Sequence, residues 1–343
     1  MRIPTLDGLR AVAILIVIAS HADLVGGNIG HLGVMIFFSI SGYLITTRLI
    51  DEHRENGCIS LRAFYLRRAF RILPPVVVYL AVIALLAFLG AVACNASQIW
   101  AAMLFYVNYL HISGYVGHFW SLSVEEHFYL LWPFFLVFFG VLIGWRTAAV
   151  LAMAILAWRL GDNHFRIVSS LFNAPNLQQY NYRTDLIADT ILWGCCLAFV
   201  KPRFDAAAST LAAIVCALAL YGMASGSYFM QNLHFVPALL LGAIVSCPTA
   251  PLGRLLETIP MRFIGRISYS LYIWQQLFFT GHKLPVIIAL PATFACAYLS
   301  YRFIEQPFIR FAKRLEVAPH RAGAIKRAAC HPINNHAAVG GKT

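Results

Sequence analysis

The chain of 343 residues is 60% hydrophobic and only 12% charged, with a formal net charge of +12. A soluble domain carries about 25% charged residues; half that share cannot cover a globular surface, so lipid must solvate much of this chain and a string of soluble domains is excluded. The basic excess reads first as a topology signal, with nucleic-acid binding the weaker reading.

A span needs roughly 20 mostly apolar residues to cross about 30 Å of hydrocarbon. In chain order the apolar runs predict ten spans, near 6–25, 31–50, 73–94, 121–144, 147–161, 185–200, 206–225, 232–248, 266–282 and 285–304. Arg2 and Arg10 flank the first run, but no small-x-small cleavage site follows it, so it is expected to stay as a span. Ile99–Leu110 is apolar but short and reads as interfacial or re-entrant. With the N-terminus inside, 22 of the 26 Lys and Arg fall in inner segments and only Arg159, Arg166, Arg183 and Lys283 outside. Counting Ile99–Leu110 as a crossing would invert every later loop and destroy that bias. The expected fold is therefore all-α: a polytopic membrane helical bundle of about ten transmembrane helices with both termini cytoplasmic. It is expected over residues 1–315, followed at 316–343 by a disordered basic cytoplasmic tail that mixes His, Ala, Gly, Pro and Lys without period. The eight cysteines show neither CxxC pairing nor metal spacing, and no metal site is expected.

Ionisable groups inside a bilayer are costly and point to function by default. The first span holds Asp7, Arg10 and His21; eleven residues at 1.5 Å each put His21 about 16 Å beyond Arg10, toward the outer face. A histidine there can take the proton of an acceptor hydroxyl, or it can be a packing histidine of the bundle. Ser39, Ser41 and Gly42 in the second span let either a helix or a ligand approach closely. The basic stretch Arg62–Pro74 offers anionic-lipid anchoring, or a phosphate clamp made by Arg68 and Arg71 one turn apart. Glu125 and Glu126 open the fourth span beside His127; adjacent helical residues point about 100° apart, so one of the two is expected to face the bundle. The bland reading is an interfacial belt of acids and aromatics. Farther on, Arg183 precedes Asp185 and Asp189, and Arg302 with Glu305 fits a structural i, i+3 pair.

Together these segments resemble the acyltransferase 3 family of bacterial membrane O-acyltransferases, from Leu6 to about Pro307. The resemblance rests on Leu6-Asp7-Gly8-Leu9-Arg10 with His21 at its spacing, Phe37-Phe38-Ser39-Ile40-Ser41-Gly42, and Arg68-x-x-Arg71-Ile72-x-Pro74. It continues with Trp120-Ser121-Leu122-Ser123-Val124-Glu125-Glu126, Ser268-Tyr269-Ser270-Leu271-Tyr272 and Arg302-Phe303-Ile304-Glu305-x-Pro307. Six motifs in the right order are specific. The resemblance implies a ten-span fold that takes acyl groups, usually acetyl, from cytoplasmic acyl-CoA; members decorate O-antigen, exopolysaccharide, peptidoglycan, nodulation oligosaccharides or macrolides. It also implies an essential Arg10 and His21 pair, donor contacts from Arg68 and Arg71, and an essential glutamate in the fourth span. The chain departs from the pattern at Gln275, where many members have histidine, and at Ile187, where an arginine before Asp189 is common. The esterase-like domain fused to some members is not seen, which makes direct transfer the expectation over a two-domain relay.

The resulting expectation is an enzyme of the bacterial inner membrane that moves an acyl group from acyl-CoA to a hydroxyl of a glycan such as O-antigen or exopolysaccharide. Acyl-CoA is a co-substrate, and no bound cofactor is expected. Arg68 and Arg71 would hold the CoA phosphates, and the thioester would lie near Ser39, Ser41 and Gly42. His21, oriented by Glu125 or Glu126 and paired with Arg10, would deprotonate the acceptor. An acyl-enzyme on Ser39, Ser41 or Tyr43 is an open variant. The rival is a transporter or flippase of a lipid-linked sugar, although no internal repeat supports it.

Overall fold

The computed structural model of the protein describes residues 3–110, 112–140, 144–171, 182–201, 204–225, 232–282 and 284–317. The expected tail beyond Val317 lies outside them. The described residues form helices joined by short connections, with no strand among them. They are α1 (Pro4–His21), α2 (Gly27–Asn56), α3 (Leu61–Phe88), α4 (Ala96–Met103), α5 (Phe119–Phe139) and α6 (Gly144–Phe165), then α7 (Ile167–Leu171), α8 (Thr184–Ile187), α9 (Asp189–Val200) and α10 (Ala206–Ala224). The series ends with α11 (Val236–Ser246), α12 (Pro251–Leu256), α13 (Ile259–Phe279), α14 (Val286–Ser300) and α15 (Gln306–Val317), the last two joined by a π turn over Tyr301–Glu305.

Each of the ten predicted spans falls on helix, and by length and composition five stretches can cross a membrane: Pro4–His21, Ile29–Asn56, Leu61–Phe88, Gly114–Phe139 and Val286–Leu315. The protein is a multi-pass membrane protein, and the outward faces agree. Leu130, Leu131, Phe134 and Phe138 of α5 and Leu211, Ile214, Val215 and Leu218 of α10 are exposed, an arrangement that only lipid tolerates. The segment Ile99–Leu110 takes in the end of the eight-residue α4 and one 3-10 turn. Eight residues rise about 12 Å, too little to cross.

One boundary differs from expectation. The basic stretch and the third span are a single helix, α3, which starts at a Ser60 cap that accepts from Ala63 N and runs through Pro74 and Pro75. Prolines are tolerated within membrane helices because neighbouring groups can satisfy the freed carbonyls; next to the two that Pro74 and Pro75 free, on Phe70 and Arg71, Tyr269 Oη donates to the Ile72 carbonyl at 2.8 Å. Arg68 and Arg71 are thereby fixed to the rigid end of a long helix.

Two close crossings set the centre of the bundle. α1 packs against α2 and α13, and α2 against α9. Where α1 crosses α13 a Cβ on Gly265 would overlap the Asp7 carbonyl, and beside it one on Gly8 would overlap the carbonyl of Leu256 at the end of α12. At the second, a Cβ on Gly42 would strike the Ile191 carbonyl and one on Gly194 the Ser39 carbonyl. Backbones meet here because side chains are missing, as in small-residue interfaces of membrane helices generally. Gly265→Ala should therefore cost about 1–3 kcal/mol by overpacking. Thermal unfolding in detergent checks this; a variant that melts with the wild type would refute the crossing.

Candidate active site

Between α1, α2, α3, α5 and α13 lies a pocket enclosing about 650 Å³ of empty space counted to its open mouth. Arg10 comes from α1, Ser41 from α2, Arg68 and Arg71 from α3, Glu125, Tyr129 and Ser121 from α5, and Tyr269 and Tyr272 from α13. Residues separated by more than 250 positions thus converge on one cavity. Among its lining residues are three guanidinium groups and one carboxylate.

The carboxylates are engaged by neighbours. Ser41 Oγ donates to Glu125 Oε1 at 2.8 Å. The Arg68 guanidinium lies 3.8 Å from both Glu125 Oε2 and Glu126 Oε1, and its carbon sits 3.2 Å from the centroid of the Tyr129 ring. Glu125 lines the pocket and Glu126 does not, yet one arginine reaches both. Arg10 and Arg71 make no side-chain hydrogen bond and no ion pair within 4 Å among the described residues, although they stand near enough to repel each other. Two guanidiniums that line a cavity with no ion pair within 4 Å among the described residues are a candidate receptor for phosphate or carboxylate oxygens, with Glu125 and Glu305 in their electrostatic surroundings.

Glu305 joins this group and corrects one expectation. Instead of pairing with Arg302, which is exposed, it is buried at 2% and accepts a hydrogen bond from Ser270 Oγ at 3.0 Å, close to Arg71 and Arg10. The π turn that ends at Glu305 interrupts the α-helical spacing on which the i, i+3 pair depended.

The small residues of α2 divide between two roles. Ser41 lines the pocket. Ser39 and Gly42, read from sequence as donor-binding, instead face α9: Ser39 is fully buried and donates to the Thr190 carbonyl at 3.4 Å, and Gly42 forms the backbone crossing described above. Tyr43 is also buried away from the pocket, in the cluster with Leu9 and Leu241. Of the three acyl-enzyme candidates only Ser41 reaches the cavity.

His21 is the last residue of α1, and its Nδ1 lies 3.0 Å from the Val17 carbonyl oxygen. A carbonyl only accepts, so Nδ1 carries the proton and Nε2 presents a lone pair. The expected hydrogen bond from Glu125 or Glu126 is not made. The reason is depth: His21 is near His118, at the head of α5, and seven residues at 1.5 Å put Glu125 about 10 Å deeper. The tautomer expected from a carboxylate is supplied by the helix's own backbone. The candidate side chains therefore occupy two levels, one of arginines and glutamates and one of histidines. The pocket reaches from the former to Ser121 and Tyr272 beside the latter.

Outside the pocket is a second polar group that the sequence reading assigned only in part. Asp189 Oδ1 is 2.9 Å from Arg159 Nη1 and 2.8 Å from His234 Nδ1, and all three residues are at least nine-tenths buried. Arg159 also donates to the Leu186 carbonyl and Asn232 Oδ1. The partner sought for Asp189 is thus Arg159, while Arg183 binds Asp162 Oδ2 at 3.0 Å and Asp185. The rule that a buried carboxylate needs a cation would have found Arg159, an arginine set in an apolar run.

A family comparison bears directly on this geometry. The acyltransferase domain profile of acyltransferase 3 matches residues 3–302, which takes in every pocket residue named above and both histidines. The chain belongs to the acyltransferase 3 family. Curated relatives include the peptidoglycan O-acetyltransferase OatA of Listeria monocytogenes, 32% identical over 348 residues that cover 89% of this chain and 55% of that protein. The O-acetyltransferase OatA of Staphylococcus aureus is 31% identical over 368 residues, covering 95% of this chain and 60% of its own. The chain spans little more than half the length of these relatives. No solved structure matches it.

Proposed function

We propose that this protein is an O-acetyltransferase of the bacterial inner membrane, crossing it ten times with both ends cytoplasmic, that moves acetyl from acyl-CoA to a hydroxyl of a cell-surface glycan. The observation that carries this is the pair of guanidiniums, Arg10 and Arg71, which line the pocket beside Arg68 and form no ion pair within 4 Å among the described residues. Coenzyme A offers phosphates to such a cluster. In this reading its pantetheine arm runs along the pocket toward Ser121 and Tyr272. His21 Nε2 takes the acceptor's proton from the outer side. Glu125 and Ser41 flank the arm, and Glu125 and Glu126 hold Arg68 in place. The relatives named for O-acetyl transfer, one of them to peptidoglycan, support acetyl and favour peptidoglycan over the O-antigen or exopolysaccharide expected from sequence. Membrane lipids surround the exposed apolar faces.

The test is release of CoA thiol from acetyl-CoA by the purified protein in detergent, with a soluble N-acetylglucosamine oligomer as acceptor. Acceptor-dependent release supports the reading. None would favour a transporter, which turns over no thioester. Within that assay Arg71→Ala should raise KM for acetyl-CoA about 10–100-fold, the worth of a charge-assisted hydrogen bond of about 1.5–3 kcal/mol. An acetyl thioester without phosphates should not discriminate the two proteins; if it does, Arg71 does not bind phosphate.

A further inference from the structure

The three guanidiniums that line the pocket have a fourth beside them, which the scheme above leaves unused. Arg48 stands on α2 seven residues beyond Ser41. Seven residues make nearly two helical turns, so both fall on one face of the helix, about 10 Å apart along it. Glu52 follows one turn later on the same side. The two residues that bracket Arg48 are tied to other elements of the site: Ser41 Oγ donates to Glu125 Oε1 at 2.8 Å, and Arg67 Nη2 donates to Glu52 Oε2 at 3.2 Å. Arg48 is thereby set between the pocket and the Glu52–Arg67 pair, along the start of α3. Arg67, Arg68 and Arg71 are all near enough to repel it. Glu52 does not neutralise it, because its second oxygen, Oε1, accepts from Ser60 N at 3.0 Å. Asp51, three residues on, forms no ion pair with it either. Arg48 is exposed, with no hydrogen bond and no ion pair within 4 Å among the described residues. Cations gathered in this way repel one another, and a ligand carrying several phosphates relieves the repulsion.

We propose that Arg48 is a specificity residue of the donor site, binding the 3′-phosphate that distinguishes coenzyme A from dephospho-coenzyme A. The inference rests on the acyl-CoA reading above. The order of groups along the ligand matches the order of arginines along the site. Coenzyme A carries its thioester at one end, its diphosphate in the middle and its 3′-phosphoadenosine at the other. With the thioester in the pocket, the diphosphate falls to Arg68 and Arg71, which line it. The terminal phosphate then reaches the exposed arginine beyond them. A guanidinium suits that task, since its planar fork takes phosphate oxygens two at a time. Glu52 supports the arrangement by joining α2 to the Ser60 cap and to Arg67, which fixes the spacing of Arg48 from the arginines of α3. An anionic lipid headgroup offers the same phosphate chemistry, and the test keeps the two sources apart.

The test is calorimetric titration of the purified full chain in detergent with CoA and with dephospho-CoA, for the wild type and for Arg48→Gln. The wild type should bind CoA about tenfold tighter than dephospho-CoA, the effect of one charge-assisted contact at an exposed site. Arg48→Gln should bind the two ligands within about twofold of each other, because its loss falls on CoA alone. The thiol-release assay with the two acetylated donors should repeat these ratios in KM. Equal affinity of the wild type for both ligands, or a variant that keeps the wild-type preference, would overturn the proposal. So would an equal loss for both ligands, since Arg48 would then act through its field or through the fold. Phosphatidylglycerol added to the micelles should leave the wild-type preference in place; if it erases that preference, the phosphate held by Arg48 is a lipid's and the proposal falls. A wild type that binds neither ligand and releases no thiol sinks the acyl-CoA reading itself, an outcome distinct from a wild type that binds both alike.

Discussion

His21→Ala should reduce kcat by about 10²–10⁴-fold, the usual worth of a general base, while the protein still inserts and melts close to the wild type. The two halves of that expectation have separate causes. The loss of rate follows from the lone pair at Nε2, which exists in this position because the Val17 carbonyl claims Nδ1–H. Among the described residues His118 is nearby but wholly enclosed, and the glutamates lie at the other level with Arg68. The small change in stability follows from what is removed. His21 is half-buried at the end of α1, and its one side-chain bond there is to its own helix, worth about 1 kcal/mol. A residue kept for packing would show the reverse pattern, early melting with turnover preserved in the folded fraction. Turnover per folded molecule, measured after gel filtration, separates the two. A fully active alanine variant would remove His21 from the chemistry.

How far the sequence could be read depended on whether a residue's cost was local. Arg10 and Glu125 stood out because a charge in an apolar run is conspicuous wherever its partner is, Arg68 and Arg71 because they stand one turn apart in a basic stretch, and all four line one pocket. Five spans were legible for the same reason: lipid sets a length, and those runs meet it. What depends on pairing across the bundle was not legible. Ser39, Ser41 and Gly42 are alike in size and adjacent in sequence, and only the crossing angle of α2 on α9 decides that Ser41 sees the pocket while its neighbours meet backbone. Depth misled in another way. The 1.5 Å rise separates His21 from Arg10 along α1, but the same rise applied along α5 carries Glu125 away from His21. Glu305 turned inward through a π turn, a feature with no signature in spacing. Arg159 and His234 stand 30 and 45 residues from Asp189, beyond any helical repeat.

That last group carries the largest expected effect on folding. Asp189→Ala should destabilise the protein by about 3–5 kcal/mol, the cost of leaving a buried cation without its counter-charge. Asp189 is 1% exposed and Arg159 3%, so neither water nor a snorkelling side chain can replace the missing carboxylate. The bonds that remain to Arg159, from the Leu186 carbonyl and Asn232, satisfy its N–H groups but not its charge. The network ties α6, the start of α9 and the segment before α11 into one unit, and α9 in turn presses on the face of α2 next to Ser41. Loss of Asp189 should therefore lower activity through the folded fraction, opposite to His21→Ala. Exchanging both partners for apolar residues, Asp189→Leu with Arg159→Met, removes the charge as well as its partner and should recover most of the stability, since a buried ion pair is often no better than well-packed hydrophobes. Denaturant unfolding in mixed micelles measures all three proteins. If the single variant unfolds with the wild type, the carboxylate is not holding this junction together; if the double variant is no better than the single one, the loss comes from shape and hydrogen bonding, with no share from the stranded charge.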